Sequence, residues 1–133
     1  MADIPIDTNV IVRYLTETVE DSDCRYKGVF SFFEKLETGR LKVFLPDLVL
    51  FQAYFVLTSF YNVPRAEAAE KLRRIVNFTG VDMLEKEIVT ACLKRLEEQK
   101  LNLVDCYLLP WSENNARWGV CSCDKDLETN GLN

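Results

Sequence analysis

The chain has 133 residues, of which 48% are hydrophobic and 28% charged, a length and composition typical of one folded domain and not of a disordered segment. Its formal net charge is -5, so that any binding of nucleic acid must depend on a local basic patch. Histidine is absent, which excludes Ser-His-Asp and Cys-His catalytic arrangements and every His-ligated metal site.

The first part of the chain predicts two short strands separated by helices. A strand is expected over about Asp3 to Ile6, although Pro5 cannot donate a hydrogen bond to a ladder. A helical segment from Val10 to Leu15 follows, and apolar residues at helical spacing predict a second helix over Tyr26 to Leu36. Leu41 to Leu45 predicts the second strand.

The next predicted helix runs from Leu48 to about Tyr61 and is apolar almost all round, which indicates burial in a core or an interface. Asp47 precedes this helix and is a candidate N-cap. Gln52 is the only strongly polar residue of its first two turns. Because a buried amide without a partner costs about 1–3 kcal/mol, Gln52 should be hydrogen-bonded or lie close to a polar pocket.

Strands and helices also alternate in the second half. Pro64 is placed to begin a helix, and Val81 to Leu84 predicts a third strand. A helix over Ile88 to Leu96 follows. Asn102 is the candidate cap of a further helix, which Pro110 should end or kink.

A fourth strand is predicted at Gly119 to Cys123, so that strands and helices alternate along the chain. This order favours a parallel sheet with helices on both faces. Right-handed crossovers bring the carboxyl ends of such strands to one edge of the sheet, where open α/β folds bind their ligands.

Four aspartates are candidates for a metal site at this edge. Asp7 follows the first strand and Asp124 follows the fourth, while Asp126 lies two positions further on. Asp105 lies among apolar neighbours on a helix, where a carboxylate needs a counter-charge or a metal. Clustered carboxylates stay ionised together only if a cation lies among them, and oxygen ligands suit Mg²⁺ or Mn²⁺. Such an ion would polarise a phosphoryl oxygen and help to deprotonate an attacking water.

Each acid also has a purely structural alternative. Asp7 and Asp124 are typical of turns that follow a strand, Asp126 is open to either reading, and Asp105 could pair with a nearby Lys or Arg. Three polar neighbours are expected to orient the carboxylates by hydrogen bonds and not to react, namely Thr8, Asn9 and Ser122.

The five cysteines are an odd number without a CxxC motif, so we expect reduced, mostly buried thiols in a cytoplasmic protein. No apolar run reaches transmembrane length without charge, which predicts no membrane contact. The five glycines fit neither the dinucleotide fingerprint nor the P-loop.

Five segments, in the same order along the chain, resemble the PIN domain and in particular the VapC-type toxin ribonucleases. The segments are IDTNVIVRYL (6–15), LPDLVLFQAYFVL (45–57), VPRAEAA (63–69), NLVDCYL (102–108) and CSCDKDL (121–127). Each segment is modest alone, and the specificity of the resemblance comes from their order across nearly the whole chain.

The resemblance implies one PIN-like domain over residues 1–133, folded as a three-layer α/β/α sandwich with a central parallel sheet of four to five strands. It implies an endoribonuclease that uses Mg²⁺ or Mn²⁺, with Asp7, Asp105 and Asp124 on the acidic positions of the family. Toxin members bind an antitoxin protein, and homodimers are common among them.

The chain departs from the family at Gln52, where a glutamate is usual. An amide oxygen can coordinate a metal but brings no charge, so that metal affinity should fall. The alternative is therefore a catalytically impaired PIN-like module that binds RNA or protein. An aspartate-nucleophile phosphatase or a receiver fits less well, because Asp7-Thr8-Asn9 lacks a second acid two residues on and no obvious strand-end lysine is present.

Overall fold

The protein is described by a computed structural model over residues 4–17 and 28–114. These two stretches contain six helices and two short strands. The helices are α1 (Thr8–Thr16), α2 (Gly28–Thr38), α3 (Asp47–Ser59), α4 (Arg65–Val76), α5 (Lys86–Glu98) and α6 (Leu103–Asn114), and the strands are β1 (Val43–Phe44) and β2 (Val81–Asp82).

The two strands pair in parallel, with Val43 opposite Val81 and Phe44 opposite Asp82. The segment before α1 lies along the other edge of β1. Phe44 N–H donates to the carbonyl of Ile4 at 2.8 Å, and Ile6 N–H donates to the carbonyl of Phe44 at 3.0 Å. This segment makes a single bridge with β1 and no longer ladder.

The prediction of a three-layer α/β/α sandwich with a central parallel sheet of four to five strands is wrong. The described residues form a mostly helical structure with a sheet of two strands, each two residues long. Of the strand expected over Asp3 to Ile6, the described residues from Ile4 onward contribute only the bridge between Pro5 and Phe44. The strand expected over Gly119 to Cys123 lies outside the described residues.

The core lies between the helices and around the two strands. The helices pack in the spatial order α2, α1, α3, α4, α5 and α6, and each of them contacts the next. The largest fully buried side chains come from all of these helices, among them Ile11, Phe33, Leu50, Leu72 and Leu93. Burial of this apolar surface stabilises helices that would be marginal alone.

Two helices differ in part from what the sequence predicts. The helix α3 is not buried all round, because Leu48 is 78% exposed and Phe55 is 52% exposed. The helix α6 does not end near Pro110 but continues through it to Asn114. Leu109, Pro110 and Ser112 are buried, so packing offsets the hydrogen bond that the proline removes. Within the described residues, no helix is long and apolar enough to cross a membrane.

Candidate functional site

Asp7 lies at the junction between the bridged segment and α1, where it is the N-cap of that helix. Its backbone is extended, with φ -92° and ψ 154°, and its side chain is exposed. The Oδ1 atom accepts a hydrogen bond from Thr8 N–H at 2.7 Å. The carboxylate therefore satisfies one of the unpaired N–H groups at the helix start, which fixes its direction. This bond uses Oδ1 and not Oδ2.

Thr8 connects Asp7 to Gln52. The Thr8 side chain is buried, and its Oγ1 donates to Gln52 Oε1 at 3.0 Å. Gln52 lies one turn into α3 and is exposed, so the expectation that it is hydrogen-bonded is confirmed, although it is not buried. We call Asp7, Thr8 and Gln52 the α1–α3 cluster.

Asn9 is exposed and lies beside the cluster, on the surface where α1 meets the end of α3. With Arg13 and Tyr61 it lines a hollow of about 210 Å³. The Arg13 guanidinium forms an ion pair with Glu17 one turn further along the chain. Asn9 thus lies on the same surface as the Arg13 cation and the Tyr61 ring. The sequence alone did not indicate that these residues are close together.

Asp105 lies in the first turn of α6 and is only 7% exposed. Its N–H donates to Asn102 Oδ1 at 2.9 Å, which confirms the prediction that Asn102 caps this helix. Asp105 lines a depression of about 480 Å³ between α3, α4 and α6, together with Tyr54, Thr58 and Arg65. Asp7 and Gln52 are not part of this lining.

The described residues supply only part of the expected metal site. Among them, no group of three or more Asp, Glu, Cys or His side chains is close enough to hold a metal ion. Asp124, Asp126 and Ser122 lie outside the described ranges. The α1–α3 cluster offers one carboxylate and one amide oxygen, which are the kind of donors that Mg²⁺ and Mn²⁺ prefer. Mg²⁺ often binds through one or two carboxylates with several waters, so these donors fit one side of its coordination sphere.

Asp47 has a role that its sequence position did not indicate. It is the first residue of α3, and the N-cap of this helix is Pro46 and not the expected Asp47. Instead, Asp47 Oδ2 accepts a hydrogen bond from the Tyr107 hydroxyl at 3.0 Å, which ties α6 to the start of α3. Burial raises the pKa of Tyr107, and the Asp47 carboxylate adds to this effect. The sequence gives no signal for this pair, because its members are sixty residues apart.

Cys92 and Cys106 are free, buried thiols, as expected for these two positions. Burial raises the pKa of Cys92 to about 12, with a further contribution from Cys106. Burial also raises the pKa of Cys106. Since the thiolate is the reactive form, neither side chain is suited to act as a nucleophile or a metal ligand near neutral pH.

Comparisons with known proteins do not identify a family. No protein-family model matches the chain, and no curated protein or solved structure is significantly similar to it. The resemblance to the PIN domain thus rests on the five sequence segments, and membership of that family stays a prediction.

Proposed function

We propose that the protein is a metal-dependent endoribonuclease of the PIN type, which hydrolyses RNA phosphodiester bonds with carboxylate-bound Mg²⁺ or Mn²⁺. The observation that supports this proposal is the fixed, exposed carboxylate of Asp7 at the start of α1. It follows a strand-like segment that borders β1, and a hydrogen-bonded Thr8 joins it to Gln52.

The α1–α3 cluster would hold the metal through Asp7 Oδ2, with Gln52 Oε1 as a neutral neighbour. The bound ion would supply a Lewis acid that polarises a phosphoryl oxygen and lowers the pKa of a bound water. Thr8 orients both of these side chains, because its N–H donates to Asp7 and its hydroxyl donates to Gln52. A carboxylate that is already oriented loses less side-chain entropy when it binds. Asp105, Asp124 and Asp126 complete the proposed set of acids.

The resemblance also makes the protein a candidate toxin of a toxin–antitoxin pair. RNA is then the substrate, an antitoxin is the protein partner, and a homodimer is the proposed assembly.

Gln52 supports a second candidate, a PIN-like module with impaired catalysis that binds RNA or protein. Its amide brings no charge, and its oxygen already accepts the Thr8 hydroxyl. Both features lower the attraction of this site for a divalent cation compared with a carboxylate.

The decisive experiment compares RNA cleavage by the wild-type protein and Asp7→Asn with Mn²⁺ and with EDTA. We expect Mn²⁺-dependent cleavage that Asp7→Asn lowers by more than about 100-fold, beyond the effect typical of residues outside the first coordination shell. The asparagine oxygen still accepts the Thr8 N–H, so the fold should persist.

Asp47→Asn is the matched control, because it changes the same chemical group at the start of another helix. Asp47 bonds Tyr107 and lies outside the α1–α3 cluster, so this variant should cleave RNA as the wild type does. Cleavage that is equally fast in EDTA, or unaffected by Asp7→Asn, would contradict the proposal.

A further inference from the structure

Arg65 makes an unusual set of contacts for a residue at a helix start. It is the first residue of α4, and its guanidinium donates to three backbone carbonyls at and beyond the end of α5. Its Nε donates to Leu96 at 3.4 Å, and its Nη2 donates to Gln99 at 2.8 Å and also to Leu101.

These contacts satisfy groups that a helix end leaves unpaired. The last carbonyls of α5 have no partner within the helix and carry its negative partial charge. A guanidinium has five donors in a planar fork and keeps its charge, so it can bond several carbonyls at once. Arg65 thus caps α5 from the neighbouring helix and fixes the path of the chain from Gln99 to Leu101.

The same stretch of chain leads directly to Asp105. Asn102 follows Leu101, and its side chain caps α6 through the N–H of Asp105 at 2.9 Å. The Cys106 thiol donates at 3.8 Å to the Leu101 carbonyl, the same atom that accepts from Arg65. Asp105 and Arg65 line the same depression. The backbone that Arg65 fixes is therefore the backbone that sets the first turn of α6.

We propose that Arg65 is a positioning residue, which holds the connection between α5 and α6 and thereby sets the location of the Asp105 carboxylate. This inference rests on the proposed function, in which Asp105 is a metal ligand. The guanidinium of Arg65 is used on main-chain carbonyls. Small displacements of a ligand are costly in metal sites, which is why a clamp of this kind matters for function.

The experiment compares Arg65→Met with Arg73→Met in the full chain. Arg73 also joins α4 to α5, through two hydrogen bonds to the Glu97 carboxylate at 2.6 and 2.9 Å. Each variant removes one cation from α4 and one link to α5, but only Arg65 contacts the connection to α6. The two readouts are amide hydrogen exchange over residues 99–106 and the Mn²⁺ concentration that gives half-maximal RNA cleavage.

For Arg65→Met we expect faster exchange over residues 99–106 and a rise of about tenfold in the half-maximal Mn²⁺ concentration. Arg73→Met should change neither readout, even where it lowers the melting temperature. Arg65→Lys keeps the charge but not the planar fork, so both readouts should lie between wild type and Arg65→Met. It also supplies the comparison if Arg65→Met does not fold.

Unchanged exchange in the Arg65 variants would contradict the claim that Arg65 holds the connection between α5 and α6. Faster exchange with an unchanged Mn²⁺ requirement, or an equal shift in Arg73→Met, would overturn the positioning role while the proposed function stands. A wild-type protein without Mn²⁺-dependent cleavage would overturn the proposed function and the positioning role together, and the exchange data would still report on the clamp itself.

Discussion

Thr8 is the residue on which the α1–α3 cluster depends. Its backbone N–H orients Asp7 and its hydroxyl orients Gln52, while its side chain is buried between α1 and α3. A β-branched residue has few rotamers, so the hydroxyl is held in one direction. The side chains of Asp7 and Gln52 therefore keep a defined relative orientation, although both are exposed and lie forty-five residues apart in the chain.

Gln52→Glu tests whether the missing charge limits the activity. A carboxylate still accepts the Thr8 hydroxyl and adds a negative charge beside Asp7, so cleavage at limiting Mn²⁺ should rise by about tenfold, which corresponds to about 1.4 kcal/mol. The measurement is the initial rate of RNA cleavage as a function of Mn²⁺ concentration.

Ser31→Glu is the control for charge alone, since Ser31 is exposed on α2 and lies outside the α1–α3 cluster and outside the depression that Asp105 lines. It should leave the rate unchanged. If Gln52→Glu is no faster than wild type, then Gln52 does not limit the activity. If Gln52→Glu also fails to respond to Mn²⁺, the second candidate function is favoured.

At the scale of elements, the close contact between α2 and β2 depends on Gly80. A Cβ built at this position would lie 2.0 Å from the carbonyl oxygen of Leu41 and 2.9 Å from that of Leu36. Gly80 N–H also donates to the Leu36 carbonyl at 2.7 Å, and its own carbonyl accepts from Val43 at 2.8 Å. The glycine therefore lets the end of α2 and the two strands approach within hydrogen-bonding distance.

Gly80→Ala should lower the free energy of unfolding by about 3 kcal/mol or more, because the backbone atoms that a methyl group meets cannot move without breaking these bonds. Gly28→Ala is the matched control. Among the described residues, no atom beyond the chain neighbours of Gly28 and the helix backbone lies within 4 Å of a Cβ at Gly28, which begins α2, so this change should be neutral or stabilise by up to about 1 kcal/mol. Urea denaturation of the two variants measures both effects, and an equal loss in both would contradict the close approach.

The helices could be predicted from the sequence because their signal is local. Apolar residues recur every three or four positions in α2, α4 and α5, and each helix lies close to its predicted range. Strand length is decided by partners far away in the chain, and the four-residue strand predicted at Val81 to Leu84 is only two residues long in the structure. The predicted sheet was too large because a strand-like pattern does not show whether a neighbour continues the ladder.

The candidate site could be predicted in part for a related physical reason. Asp7 and Thr8 were found from a strand end followed by a helix start, which is a local pattern. The role of Arg65 could not be found, because its partners are backbone carbonyls and these are present at every residue. The same limit applies to the hydrogen bond between Tyr107 and Asp47, whose two residues lie far apart in the chain.

At the scale of the molecule, the candidate ligands belong to different parts of one helical assembly. Asp7 is the N-cap of α1, Gln52 lies in α3 and Asp105 lies in α6, and α3 contacts both α1 and α4. An ion bound by residues from several helices stabilises the folded chain, because the unfolded chain does not hold these groups together. Metal binding is then coupled to the unfolding of the whole molecule.

This coupling predicts that Mn²⁺ raises the melting temperature of the wild-type protein and that EDTA reverses the rise. At a free Mn²⁺ concentration about 100 times the Kd, the gain is about 2.7 kcal/mol. Thermal unfolding followed by circular dichroism, at one protein concentration, measures the shift. Asp7→Asn should lose the response and Asp47→Asn should keep it, because Asp7 is one of the proposed ligands and Asp47 is not. A shift of equal size in Asp7→Asn would mean that Mn²⁺ binds elsewhere on the chain, and the proposed site would then be wrong even if the protein cleaves RNA.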